Sequence, residues 1–342
     1  MKKTNKFSKL FSKEIFPLVL VLVIYAIVGA LLYSGNLSRQ YTNMLTSISC
    51  YVALAVSLNL VVGLLGELSL GHAGFMSVGL FSGCLVSVFF EGMLPLYIRL
   101  PLSMVVGGLM AALVGLVVGL PALRLRGDYL AIVTLGCGEI IKNIINNIDI
   151  TSGPLKGVLA GALGLNTGSI YVSKAGKLFP YAFVLVLIVV IVMMNIKDSK
   201  HGRAIMAIRD NRIAAEATGV NVTYYKLMVF ILAAFFAGMA GVLYGHSLAN
   251  IKAATFDYNM SIEILVIVVL GGMGSINGSV IAAIILRLLP EVLRSLPGML
   301  VWLPEGIGKA IMNVADKRML IYSVLLIVFM LIKETKMKKK EI

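Results

Sequence analysis

Apolar residues run in long blocks along this 342-residue chain, separated by short polar breaks. The blocks fall at 15–33, 43–63, 70–90, 100–121, 127–147, 180–196, 224–246, 261–277, 279–296 and 318–333. The first, "IFPLVLVLVIYAIVGALLY", carries no charge. In hydrocarbon only a helix or a closed barrel pairs all of its own backbone groups, and unbroken runs of about 20 residues read as helices. The pattern predicts an all-α polytopic membrane protein with about ten transmembrane helices. Pro297, Pro304 and Gly306 interrupt the pattern at 296–317, which is expected to be an external loop or a short surface helix.

One polar block departs from this pattern. Residues 201–221, "HGRAIMAIRDNRIAAEATGVN", hold Arg203, Arg209, Asp210, Arg212 and Glu216 between two apolar runs. Ala204, Ile208 and Ala215 share one approximate helical face, with Arg209 and Arg212 on another. Asp210 or Asn211 is placed to cap a helix starting at Arg212, and Gly219 to stop it. The block therefore predicts two short helices hinged near Asp210. Two readings fit: a docking surface for a soluble partner, or a surface helix held to lipid phosphate by its arginines.

Composition and charge orient the chain. It is 59% hydrophobic and 13% charged, far from soluble averages. The net charge of +14 is crowded into the ends, at Lys2, Lys3, Lys6, Lys9 and Lys13 and again at Lys333, Lys336, Lys338, Lys339 and Lys340. Such tails mark the cytoplasmic side and meet anionic lipid, and no basic groove with interleaved aromatics points to nucleic acid. The expected layout is a cytoplasmic tail at 1–14, one membrane domain at 15–333, and a second cytoplasmic tail at 334–342. Ten spans with both termini inside put Arg124, Arg126 and a loop at 197–223 in the cytoplasm, and a loop at 148–179 outside. The first run is longer than a signal-peptide core and is read as a retained span. Five spans per half would make two related halves inverted. A faint echo between "VVGLLGELSLGHAGF" (61–75) and "VVLGGMGSINGSV" (268–280) fits that arrangement.

Polar residues inside spans are costly and mark candidate sites. Asn59, Glu67, Ser69 and His72 cluster among Gly63, Gly66, Gly71 and Gly74. They line a translocation path at an unwound segment, or form a tight turn at the membrane surface. Glu139 and Asn143 share a helical face with Lys142 beside them, either toward the path or as helix-packing contacts. Glu263 sits near the external start of its span, within reach of an external protein. Gly271 and Gly274 imply a broken helix or close packing against a neighbour. Cys50, Cys84 and Cys137 have no ligand or disulfide spacing, and no metal site is expected.

Several stretches resemble a known family. The spacing Ala214-Ala215-x-x-x-Gly219 resembles the Glu-Ala-Ala-x-x-x-Gly loop of ABC importer permeases, with Ile213 in place of the glutamate. "SLNLVVGLLGELSLGHAGFMSVG" (57–79), "RGDYLAIVTLGCGEIIKNIINN" (126–147), "GRAIMAIRDNRIAAEATGVNVTYYKLMVF" (202–230) and "SIEILVIVVLGGMGSINGSVIAA" (261–283) resemble the LivM-type permease of branched-chain amino acid ABC transporters. The resemblance covers about residues 45 to 333.

It implies a bacterial plasma-membrane permease subunit paired with a homologous LivH-type permease, two cytoplasmic ATPases and an external substrate-binding protein. The 201–221 block would be the coupling element on the ATPase, through Arg203, Arg209, Arg212, Ala214, Ala215 and Gly219. Urea, sugars or nucleosides are alternative cargoes within the same class. The chain has no Gly-x-x-x-x-Gly-Lys-Ser/Thr, so it is expected to bind no cofactor, and ATP belongs to the partner subunits. A membrane hydrolase lacks its motifs here, since His72, His201 and His246 lie in separate segments. A proton-coupled carrier using Glu139 or Glu263 leaves the polar block without a purpose.

Overall fold

The computed structural model describes residues 16–33, 39–125, 127–150, 156–172 and 177–299, together with Val324 and Ile327. The two basic tails, most of the tenth apolar block and the 300–317 stretch lie outside the described residues.

The chain is helical nearly throughout. Helix α1 (Phe16–Tyr33) is followed by α2 (Arg39–Asn59), which continues as a π-helical turn, Leu60–Leu65. Gly66 (φ 76°) then ends the helix in the left-handed region, where a side chain would be strained. Next come α3 (His72–Phe89), α4 (Leu96–Ala122) and α5 (Asp128–Asn147). After a polar excursion the chain forms α6 (Phe179–Asp198), α7 (Lys200–Asp210), α8 (Arg212–Ala217) and α9 (Val222–His246). The last described helices are α10 (Tyr258–Gly271) and α11 (Ile276–Met299). Strands β1 (Leu165–Asn166) and β2 (Asn250–Ile251) pair antiparallel and tie the excursion after α5 to the chain leaving α9.

Among the described residues, six segments are long and apolar enough to cross a membrane: Met44–Leu65, His72–Phe89, Leu96–Ala122, Phe179–Asp198, Val222–His246 and Ala253–Gly271. The chain is an all-α polytopic membrane protein. Its predicted eighth span ends before the expected 277, because α10 stops at Gly271 and Gly272 turns at φ 97°.

Helix α2 runs through the centre, with Cys50 through Leu65 all buried, and touches α6, α9, α10 and α11. Helices α3, α4 and α9 form a second layer held by glycine contacts. A Cβ on Gly79 would lie 2.2 Å from Gly238 Cα, so the backbones of α3 and α9 touch directly. Without a hydrophobic effect between helices in lipid, such contact supplies dispersion energy that larger side chains would block. The outer faces of α4 and α5 remain apolar and exposed, as at Leu109, Leu113, Val117, Ile132, Ile140 and Ile144.

Candidate functional site

The polar block folds as two helices joined at Asn211, and each start is capped. Ser199 Oγ accepts from Gly202 N (3.1 Å) to open α7, and Asn211 Oδ1 accepts from Ala214 N (3.1 Å) to open α8. At the end of α8, Gly219 N donates to Glu216 O (3.0 Å) and Val220 N to Ala215 O (3.1 Å). Gly219 sits at φ 85°, so this is a Schellman closure that favours glycine. Ile205, Ile208 and Ala215 face inward. Ala215 is buried in its own chain, whereas Ala214 and Gly219 are exposed. Ile213, beside them, is 78% exposed. Arg203 and Arg212 stay local, on Asp198 O (3.3 Å) and Glu216 (2.9 Å).

Arg209 reaches further, into a junction of helix ends. Its Nη1 donates to Gly63 O (3.1 Å) in the π-helical turn, and its stem packs on Gly66. Lys197, at the end of α6, lies 3.5 Å from Gly274 O. Arg209 thus meets a carbonyl at the C-terminal break of α2, an end that carries partial negative charge, and Lys197 meets one in the turn between α10 and α11.

Those two breaks also touch each other. A Cβ on Gly63 would lie 2.1 Å from Gly274 N. Asn59 joins them: Oδ1 accepts from Gly274 N (2.8 Å), while Nδ2 donates to Ser275 O and Ser279 Oγ (both 3.0 Å). Gly271 in turn meets Gly278 backbone to backbone. Helix breakage and close packing, alternatives in the sequence, are therefore both present. The two glycine-rich stretches that echo each other in sequence meet face to face.

The segment from Gly66 to Gly71 is irregular and non-helical, with Ser69 buried in it. Glu67 pairs with Lys226 near the start of α9, both largely buried. Ser57 donates to Leu54 O (2.9 Å), so its oxygen accepts from His72 Nε2 (2.9 Å). His72 is a hydrogen-bonded packing residue. His246 shows the converse: Nδ1 bonds Val242 O (2.9 Å), leaving Nε2 to accept from Ser87 (2.9 Å). Neither Ser–His pair has a carboxylate partner among the described residues, so neither forms a hydrolase triad.

Glu139 pairs with Lys142 and accepts from Tyr258 N (3.0 Å), where it caps the start of α10. Asn143 shares its helix but is exposed. Glu263 is half-buried, its side chain keeping 30% exposure. It pairs with Arg287 (3.2 Å) and accepts from Tyr51 Oη (3.5 Å). Sequence reasoning missed Lys226 and Arg287, although a lone cation within an apolar run is itself the signal that could have found them.

The comparisons bear on the same segments. Residues 40–332 match the family model described as branched-chain amino acid transport system / permease component. The chain belongs to this family. The high-affinity branched-chain amino acid transport system permease protein LivM of Escherichia coli is 35% identical over 315 residues, covering 82% of this chain and 73% of the relative. The ribose import permease protein RbsC of Haemophilus influenzae is 24% identical over 290 residues, covering 83% and 85%. A probable branched-chain amino acid transport permease protein LivH of Methanocaldococcus jannaschii is 29% identical over 196 residues, covering 56% and 60%. No solved structure matches the chain. The matched region of this family member takes in the α7–α8 block, both helix breaks and the Glu67–Lys226 pair.

Proposed function

We propose that this permease is one membrane subunit of an ATP-driven importer for branched-chain amino acids. The observation that carries the mechanism is the link to the two helix breaks from Arg209 of the α7–α8 block and from Lys197 at the adjoining end of α6. In this reading the block lies in the cytoplasm and docks on a partner ATPase by the exposed patch of Ile213, Ala214 and Gly219. Both termini are then cytoplasmic, and the spans number about ten in two inverted halves. Closure of two ATPases presses α7 and α8 toward the membrane. Arg209 transmits that displacement to Gly63, and through Gly63 to Gly274, which shifts α2, α10 and α11 between outward and inward access. A second, LivH-type permease covers part of the apolar outer faces, lipid covers the rest, and an external binding protein delivers the substrate.

Ile213→Asp tests the docking surface. Ile213 is mostly exposed, so the change leaves the fold intact while placing a charge in the partner groove. Membrane insertion should be unchanged, co-purification of the ATPase should drop more than tenfold, and leucine uptake should fall with it. Wild-type uptake in this variant would remove the coupling assignment. The purified permease alone should bind no ATP, and uptake should survive collapse of the proton gradient while ATP is maintained. Loss of uptake under that condition would favour a proton-coupled carrier instead.

A further inference from the structure

A cavity of about 300 Å³ opens in the half of the bundle away from the α7–α8 block. Met44, Ser47, Ile48, Leu248, Pro290 and Arg287 line it. Its position follows from the chain path: Arg287 is 11 residues beyond the start of α11 at the Gly274 break, about 16 Å along the helix axis. Leu248 lies just past the end of α9, whose other end follows the block.

Arg287 is the chemical feature of this cavity. Its Nη1 donates to Glu263 (3.2 Å) and its Nη2 to Ser47 Oγ (3.0 Å), and the Tyr51 ring centroid lies 3.9 Å from Cζ. Among the described residues these are the acceptors for two of the five N–H groups a guanidinium carries. Arg287 lines the cavity directly, and the Arg287 and Glu263 side chains keep 26% and 30% exposure, so the pair is not sealed in packing. An ion pair serving packing alone needs no cavity beside it. A cation inside a membrane domain is costly unless it serves a ligand or a partner.

Resting on the importer reading above, we propose that this cavity is a staging site for an aliphatic α-amino acid in zwitterionic form. Arg287 takes the substrate carboxylate by the N–H groups that no described residue engages, in the forked geometry guanidinium offers a carboxylate. Glu263 exchanges its bond to Arg287 for the substrate ammonium group. Met44, Ile48 and Leu248 receive the aliphatic side chain. The volume is at the lower end of small-molecule sites, which suits one small solute. Charge selects the form that enters. Arg287 and Glu263 cancel when the site is empty, and a zwitterion leaves them cancelled, whereas a keto acid or an amino amide strands a net charge in low dielectric.

The test uses membrane vesicles carrying the assembled transporter with the binding protein omitted. Leu248→Cys, in a Cys137→Ser background, is labelled with a membrane-permeant thiol reagent. Millimolar leucine should slow labelling at least threefold, while leucinamide and 4-methyl-2-oxopentanoate should not. Arg287→Gln should abolish the protection and Arg287→Lys should keep part of it. Equal labelling with and without leucine, or equal protection in Arg287→Gln, would overturn the site. Leu248→Trp gives a second route, since it fills the cavity from its exposed side without touching the ion pair. It should lower uptake more than tenfold with transporter assembly unchanged, and normal uptake would again overturn the site. The two readings fail differently. If the wild-type transporter carries no leucine, isoleucine or valine, the substrate assignment falls. If it carries them without protecting position 248, only this site falls.

Discussion

Replacing Lys226 with methionine is expected to cost about 3–5 kcal/mol, because it leaves a buried carboxylate without its cation. Lys226 and Glu67 are 3% and 14% exposed, and the second carboxylate oxygen of Glu67 has no other partner among the described residues. The cost should show as a large drop in the thermal midpoint of the detergent-solubilised protein. The double variant Lys226→Met/Glu67→Leu should recover most of it, since exchanging an ion pair for apolar groups of similar size is often neutral or stabilising. A double variant no more stable than Lys226→Met would mean that the pair is not the source of the loss. The pair also joins the turn after α2 to the root of α9, directly beyond the α7–α8 block. A recovered double variant with impaired uptake would show that the charges serve movement as well as stability.

The contrast between Lys226 and Asn211 shows what the sequence made legible. Asn211 caps a helix three residues away, and Gly219 ends the same helix, so both roles follow from short-range backbone rules. The positions of the six long apolar segments were legible for a similar reason: a run of apolar residues satisfies the bilayer regardless of its neighbours. Lys226 finds Glu67 across 159 positions, and Asn59 finds Gly274 across 215. Local propensity carries no record of such partners. Glycine-rich breaks at 63–66 and 271–278 announced irregular backbone, but not that the two would stack on one another. Glu263 was visible as a charge near a span end, yet its pairing with Arg287 of the next helix was not. The specific π-helical geometry of Leu60–Leu65 left no signal beyond Gly63, because its other residues are ordinary apolar ones.

The junction of the two helix breaks carries the second large effect. In Gly63→Ala the new methyl would lie 2.0 Å from Asn59 Oδ1 and 2.1 Å from Gly274 N, both far inside van der Waals contact. Neither neighbour is free to yield. Gly274 is backbone at a tight turn, and Asn59 is held by three hydrogen bonds. The two helix breaks must therefore separate, and Arg209 loses its fixed acceptor at Gly63 O. Leucine uptake by the reconstituted transporter should fall at least tenfold. ATP hydrolysis should continue, because the exposed face of α8 lies beyond the junction and still reaches its partner. Asn59→Ala separates the two contributions: it keeps the close approach of Gly63 and Gly274 but leaves the bonded groups at Gly274, Ser275 and Ser279 without Asn59. Each buried polar group left unpaired costs about 1–3 kcal/mol, so this variant should lose stability more than coupling. If Gly63→Ala instead transports normally, force does not pass from Arg209 to Gly274 through this contact. The path from the α7–α8 block would then have to run through Lys226 and α9.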